Sequence, residues 1–322
     1  MKKAVVKTIC IAILIAMSLV SFASATDTKK VSDSFTATPE VTYIPERKFT
    51  QDDIDELNKY LSNGGTLHYE DTGSKWAGNT HRFIVNQAGL ILKTDKTATP
   101  YNKINELVWD GSKNVNAMTV IADYAVLADT LERDFVGVVP TFQGHFYGAN
   151  GKNYLGYSDP TAYTRFNNHY YNAKVHYAAN RKFEAYKSLG LSLHYLADLC
   201  VPHHAANLIA GPLSYHSEYE AWVNTRYSSY SVTSNPSSSY DYVKTATFKA
   251  MADSWSGLAR AQTPNANAGR ISGYQWNGTA MVPVYVWDST NASIATNDCL
   301  PRAQRGSAAM LYRFLVDTGR AQ

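Results

Sequence analysis

The residues able to do chemistry in this 322-residue chain gather in two short segments. His194 and Asp198 lie four positions apart, and so do His216 and Glu220. On an α-helix that spacing puts an imidazole and a carboxylate on one face, about one turn apart. Pro202 follows the first pair, and a proline there ends or kinks a helix. His204 then stands where the chain can turn back toward the same space. The chain holds only nine histidines, so two such pairs flanking a Pro-x-His unit are a poor match for scattered surface hydrogen bonding. Imidazole and carboxylate donors in this mixture suit zinc or a similar divalent ion. Clustered cations neutralise an anionic phosphoryl group and bring the pKa of water toward neutrality, so hydrolysis of a phosphate ester is the chemistry within reach.

Helices must position these groups. Ile84, Ala88 and Ile91 share one helical face, and Met118, Ile121, Ala125, Ala128 and Leu131 share another. Phe183, Tyr186, Leu189, Leu193 and Leu196 form a third that runs into His194, and Tyr219 and Val223 belong to a fourth. The spacing predicts a fifth helix over 243–258 and a last over 303–316. Strand alternation is scarce. Met281-Val-Pro-Val-Tyr-Val is the main candidate, and Pro283 weakens it. The Tyr/Ser/Asn-rich stretch from Tyr227 to Tyr240 reads as a surface excursion. The expected fold is all-α, a single-domain helical bundle spanning residues 76–322. A hydrophobic content of 45% with six Trp and 23 Tyr is ample for its core, and the low hydrophobicity and high charge of a disordered chain are absent.

The N-terminal region reads differently. Lys2, Lys3 and Lys7 precede an apolar run from Ile9 to Val20 and then Phe22-Ala-Ser-Ala25. This is the pattern of a signal peptide over residues 1–25, and a secreted protein is expected. Residues 26–48 are polar, and a short amphipathic helix follows the cap-like Thr50. The formal charge of +3 equals the three lysines lost with the leader, which contains no acid, so the exported chain is neutral. That argues against a broad basic face, and no nucleic-acid partner is expected. Cys200 and Cys299 remain after export; they form one disulfide or two buried thiols, and spacing does not decide between them.

The segment His194-Tyr-Leu-Ala-Asp198-Leu-Cys-Val-Pro202-His-His204 with His216-Ser-Glu-Tyr-Glu220 resembles the signature of the bacterial zinc-dependent phospholipases C. His81-Arg-Phe-Ile-Val-Asn-Gln-Ala resembles that family's first metal-binding helix, and His145-Phe-Tyr-Gly resembles a turn bearing another ligand. The resemblance implies three Zn2+ ions. One would be held by His145, His194 and Asp198, and a second by His204, His216 and Glu220. The third would take His81, a bridging oxygen of Asp198 and the amino and carbonyl groups of a mature N-terminal Trp76. Residues 26–75 would then be a propeptide removed by a processing protease, with 76–322 the catalytic domain. A backbone amide nitrogen is a poor ligand and a free amine a good one, so cleavage would complete the site. By position Asp134 matches the general base, with Asp129 and Glu132 close by. Phe135 and Phe142 resemble aromatic positions that box a cationic headgroup.

The activity implied is hydrolysis of the glycerol-side phosphodiester of phospholipids at a membrane surface by metal-activated water, releasing diacylglycerol and a phosphorylated headgroup; a monomer is expected. An S1/P1-type zinc nuclease is the alternative, since the five-residue step from Trp76 to His81 fits that type. Its ligand set, however, ends in His-x-x-x-Asp after a longer gap. A non-catalytic zinc-binding protein at a membrane surface is a third reading.

Overall fold

Ile84, Val85, Ala88, Ile91 and Leu92 line the buried face of the first helix, α1 (Asn79–Lys96). The computed structural model describes residues 79–322 other than 137–138, 211–213 and 277–280. The expected leader, the expected helix after Thr50, the expected processing point and Trp76 lie outside the described residues. A short helix α2 (Ala98–Ile104) and a small hairpin, β1 (Leu107–Trp109) with β2 (Asn114–Asn116), lead to α3 (Ala117–Leu131). A second hairpin pairs β3 (Phe135–Val136) with β4 (Val139–Pro140), and a 3-10 turn over Gln143–His145 follows.

Two long antiparallel helices come next, α4 (Ala162–Ala178) and α5 (Lys182–Asp198). Helix α4 was not expected. Its Tyr, Asn and His residues carry little apolar period, yet Thr161 and Thr164 cap its start reciprocally and Phe166, Tyr170 and Ala173 are buried. Helix α5 is the centre of the molecule and is buried almost throughout from Ala185 to Asp198. A Cβ on Gly190 would stand 2.4 Å from the carbonyl oxygen of Ile121, so only glycine lets α5 approach α3 this closely.

The chain then forms α6 (Pro202–Ala205) and α7 (His216–Asn224). The predicted helix over 243–258 is two helices, α8 (Ser237–Thr245) and α9 (Phe248–Ala261). Thr247 breaks it by adopting an extended conformation and accepting the Ala250 N–H as an N-cap. After α10 (Thr263–Ala266) comes the longest hairpin, β5 (Gly269–Trp276) with β6 (Met281–Trp287). The strand over Met281 therefore forms despite Pro283. The last helix, α11 (Ser289–Asp317), starts fourteen residues earlier than the pattern suggests and runs through Pro301. The proline removes one ladder bond, but buried residues on both sides of it hold the helix against α1 and α5.

The stretch from Tyr227 to Tyr240 is no free excursion. The Val232 N–H donates to Gln304 Oε1, the Asn235 N–H to Asp95, and Tyr240 is buried with its hydroxyl on Asp95. The fold is all-α, with three two-stranded hairpins as its sheet content among the described residues.

Candidate metal centre

The last turn of α5 carries His194 and Asp198, both buried. His194 Nδ1 lies 2.7 Å from the carbonyl oxygen of Ala125 on α3. A carbonyl can only accept, so Nδ1 carries the proton and Nε2 is the atom turned to the centre. Asp198 stands between two sets of histidines. Its Oδ2 is 2.8 Å from His145 Nδ1 and 3.2 Å from His194 Nε2. Its Oδ1 is 3.2 Å from His204 Nδ1 and 3.9 Å from His81 Nε2. The 3-10 turn brings in His145, and α1 brings in His81, whose ring stacks on His194 at 4.1 Å between centroids.

The second set is built where the chain leaves α5. Pro202 occupies the first position of α6, where its missing N–H costs nothing, and the short turn aims His204 back at Asp198. His216 opens α7, and Glu220 lies one turn on. Glu220 Oε1 is 3.1 Å from His216 Nε2 and 3.4 Å from His204 Nε2. Phe146 covers this set, 4.7 Å from the His204 ring and 5.9 Å from that of His216. His203 is not among these ligands. It stacks parallel to His216 at 5.0 Å and faces Asn267.

Burial and crowding tune these groups. His81 is pressed down to about 3 by burial and by its neighbour His194, so it stays an uncharged donor. Burial works against charge on His194 as well, but Asp198 and Asp129 outweigh it and push His194 up to about 9. Burial would raise Asp198, yet His194, His145 and His204 hold it well below the usual carboxylate range. Buried carboxylates and histidines so arranged demand positive charge, which a cation supplies in place of protons.

The donor chemistry fits zinc. Three sets of side chains offer ligand atoms within 4.8 Å of one another: His81, His194 and Asp198; Asp129, His145 and His194; and His204, His216 and Glu220. Glu220 Oε1 is buried and accepts no aligned hydrogen bond despite its close imidazole neighbours, the arrangement of donors converging on a common point.

Asp134 does not reach this centre. Its Oδ2 accepts the Gly144 N–H at 2.7 Å, and its Oδ1 accepts Arg165 Nη2 at 2.6 Å. Arg165 also donates to the Glu132 carbonyl and the Tyr195 hydroxyl. Its guanidinium lies so close to Gly144 that a Cβ there would stand 2.5 Å from Cζ. Asp134 and Arg165 thus clasp the turn that presents His145. The acid beside the ligands is Asp129, with Oδ1 3.7 Å from His194 Nε2 and 3.8 Å from His145 Nδ1. It follows Ala125 by one turn of α3, on the face that already touches His194. Glu132, the other nearby acid, binds His169 at 2.8 Å and accepts from the Tyr195 hydroxyl.

Phe142 is buried with its ring 5.9 Å from that of His145, and its backbone is left-handed at φ 52°. Phe135 lies in β3, paired with Pro140. Cys200 and Cys299 are buried free thiols, and burial pushes Cys200 up to about 12. No helix among the described residues is long and apolar enough to cross a membrane.

A helical bundle enclosing a buried His/Asp/Glu cluster of this kind defines a metal-binding class of protein. The chain belongs to the zinc dependent phospholipase C family, whose model matches residues 80–266. It is 30% identical over 183 residues to a phospholipase C of Bacillus cereus, covering 52% of this chain and 61% of that one. It is 25% identical over 261 residues to the phospholipase C of Clostridium haemolyticum, covering 78% and 62%. The chain thus spans about three-fifths of the length of these curated relatives. Among solved structures, the alpha toxin of Clostridium absonum shares the fold at a TM-score of 0.55 and 20% identity, over 77% of this chain and 65% of the other.

Proposed function

We propose that this protein is an exported zinc-dependent phospholipase C that hydrolyses the glycerol-side phosphodiester of phospholipids, releasing diacylglycerol and a phosphorylated headgroup. The observation that carries the reading is Asp198, whose two oxygens face separate sets of histidines in a buried site. Family membership and the phospholipase C relatives support it. Zinc bound there would supply charge neutralisation at the phosphoryl oxygens and water of lowered pKa.

The chain's own residues divide the remaining work. His145, His194 and Asp198 would hold one ion and His204, His216 and Glu220 a second, while His81 and Asp198 would hold a third together with the amino and carbonyl groups of Trp76 after removal of residues 26–75. Asp129, rather than Asp134, would take a proton from the attacking water, a reading supported by its nearness to His194 and His145. The Ala125 carbonyl keeps His194 in the tautomer that leaves Nε2 for the metal. Phe146 shields the His204/His216 set from water.

The test is headgroup release from a phospholipid panel by the processed protein, with bound zinc measured and single-stranded DNA as the control substrate. Phospholipid hydrolysis that tracks zinc content is expected. Hydrolysis of DNA alone would overturn the proposal. Asp198→Asn is expected to cut activity by roughly three orders of magnitude or more and to release zinc.

A further inference from the structure

The β5–β6 hairpin stands apart from the bundle. Among the described residues no third strand pairs with it and no helix runs along it. Tyr274 is 61% exposed and Met281 59% exposed. They share a face, because Tyr274 pairs with Pro283 and Met281 lies two residues from Pro283. Arg270 and Val286, a cross-strand pair nearer the base, are exposed as well. A lone two-stranded ribbon is marginal in water, so the exposed Tyr274 and Met281 side chains call for a cover.

Composition and backbone point to what covers them. The segment 269–287 contains no Asp or Glu, one Arg, two Trp and two Tyr, the composition of a membrane–water boundary that also tolerates anionic headgroups. Both outer edges are blunted against another protein strand: Pro283 has no N–H to offer on β6, and a register shift between Ile271 and Gly273 twists β5. The base of the ribbon is fixed beside the candidate metal centre. Asn267 Oδ1 accepts the N–H of Tyr215, which precedes His216, and the Asp288 N–H closes on the Ala268 carbonyl. Trp287 Nε1 donates to the Ala266 carbonyl. The ribbon is therefore anchored through its base to the segment that leads into His216.

We propose that the β5–β6 ribbon docks this protein on a phospholipid bilayer, with Tyr274 and Met281 entering the headgroup–acyl boundary. The inference rests on the reading of the site as a phospholipid hydrolase, and it names the element that meets the lipid surface. Tyr274→Ser/Met281→Ser tests it against the parent protein in two assays. One is co-flotation with phosphatidylcholine vesicles containing a minority of phosphatidylglycerol. The other is hydrolysis of a short-chain phosphatidylcholine kept below its micelle concentration.

The variant is expected to lose vesicle binding and vesicle hydrolysis by roughly tenfold or more, from the apolar area it no longer buries, while hydrolysing the monomeric lipid like the parent. Equal vesicle binding by variant and parent overturns the proposal. So does a parent that ignores vesicles, or one that self-associates through the ribbon in sedimentation while the variant does not. If the double variant is misfolded by circular dichroism, Tyr274→Ser alone carries the comparison. Absence of hydrolysis of the monomeric lipid by the parent would instead count against the reading of the site.

Discussion

Two aspartates five residues apart divide the roles at the residue scale. Asp134 is the nearer match by position to a general base, but its oxygens are committed to Gly144 and Arg165. Asp129 lies in α3 with an oxygen 3.7 Å from His194 Nε2. Removing charge at the two positions therefore has different consequences. Asp129→Asn is expected to lower kcat by roughly a hundredfold or more with the fold intact. Asp134→Asn removes the ion pair with buried Arg165, leaving Glu132 as its acidic neighbour, and is expected to lower stability by about 2 kcal/mol. Measuring kcat and urea unfolding on both variants separates them; a stable, inactive Asp134→Asn would restore Asp134 as the base. The histidines divide as well: His203, His169 and His176 belong to none of the ligand sets, although His203 sits next to His204 in the chain. Stacking on His216 and a contact with Asn267 account for His203.

At the scale of elements, α5 positions the site and its neighbours set its height. The α3–α5 crossing is tight enough that Gly190→Ala must move Ile121, and with it the carbonyl of Ala125 that orients His194. A loss of about 1–3 kcal/mol in stability is expected, with weaker zinc retention under chelator competition. The pairing between α3, α4 and α5 also gives the protein an acid limb. Burial works against charge on Glu132, but His169 and Arg165 outweigh it and hold the carboxyl at about 2 against an ordinary 4.5. A depressed folded-state pKa stabilises above the unfolded value. That contribution is lost as pH falls from about 4.5 through about 2, on the order of 3 kcal/mol in all. Glu132→Gln should therefore lower the urea midpoint at neutral pH, and its difference from the parent should vanish near pH 2. A constant difference across that range would show that the carboxylate is not the source.

For the whole molecule, the candidate centre ties distant parts of the chain together. Its ligands come from α1, the turn after β4, α5, α6 and α7, so a bound ion couples elements that are far apart in sequence. Chelation is expected to lower Tm by several degrees at least, since zinc in thousandfold excess over Kd adds about 4 kcal/mol; an unchanged Tm would mean that the cluster holds no zinc. If the amino group of Trp76 completes the third set, the precursor should bind one ion fewer than the processed protein, as metal analysis of the two forms would show.

His194/Asp198, Pro202-x-His204 and His216/Glu220 were legible because helical spacing and proline placement act locally. Helical period likewise marked the buried faces of α1, α3 and α5, and composition marked an all-α core. The break at Thr247, the run of α11 through Pro301 and the polar α4 depend on capping and packing that no local period carries. So does the exchange between Asp129 and Asp134. Both acids sit near the end of α3, and nothing in their order along the chain says which one faces the histidines. Only the crossing of α3 over α5, and the guanidinium of Arg165 arriving from α4, direct one carboxylate inward and tie up the other. The chain by itself determined that a set of zinc-type ligands is present; the tertiary structure decided which acid lies beside it, because that depends on contacts between helices far apart in sequence.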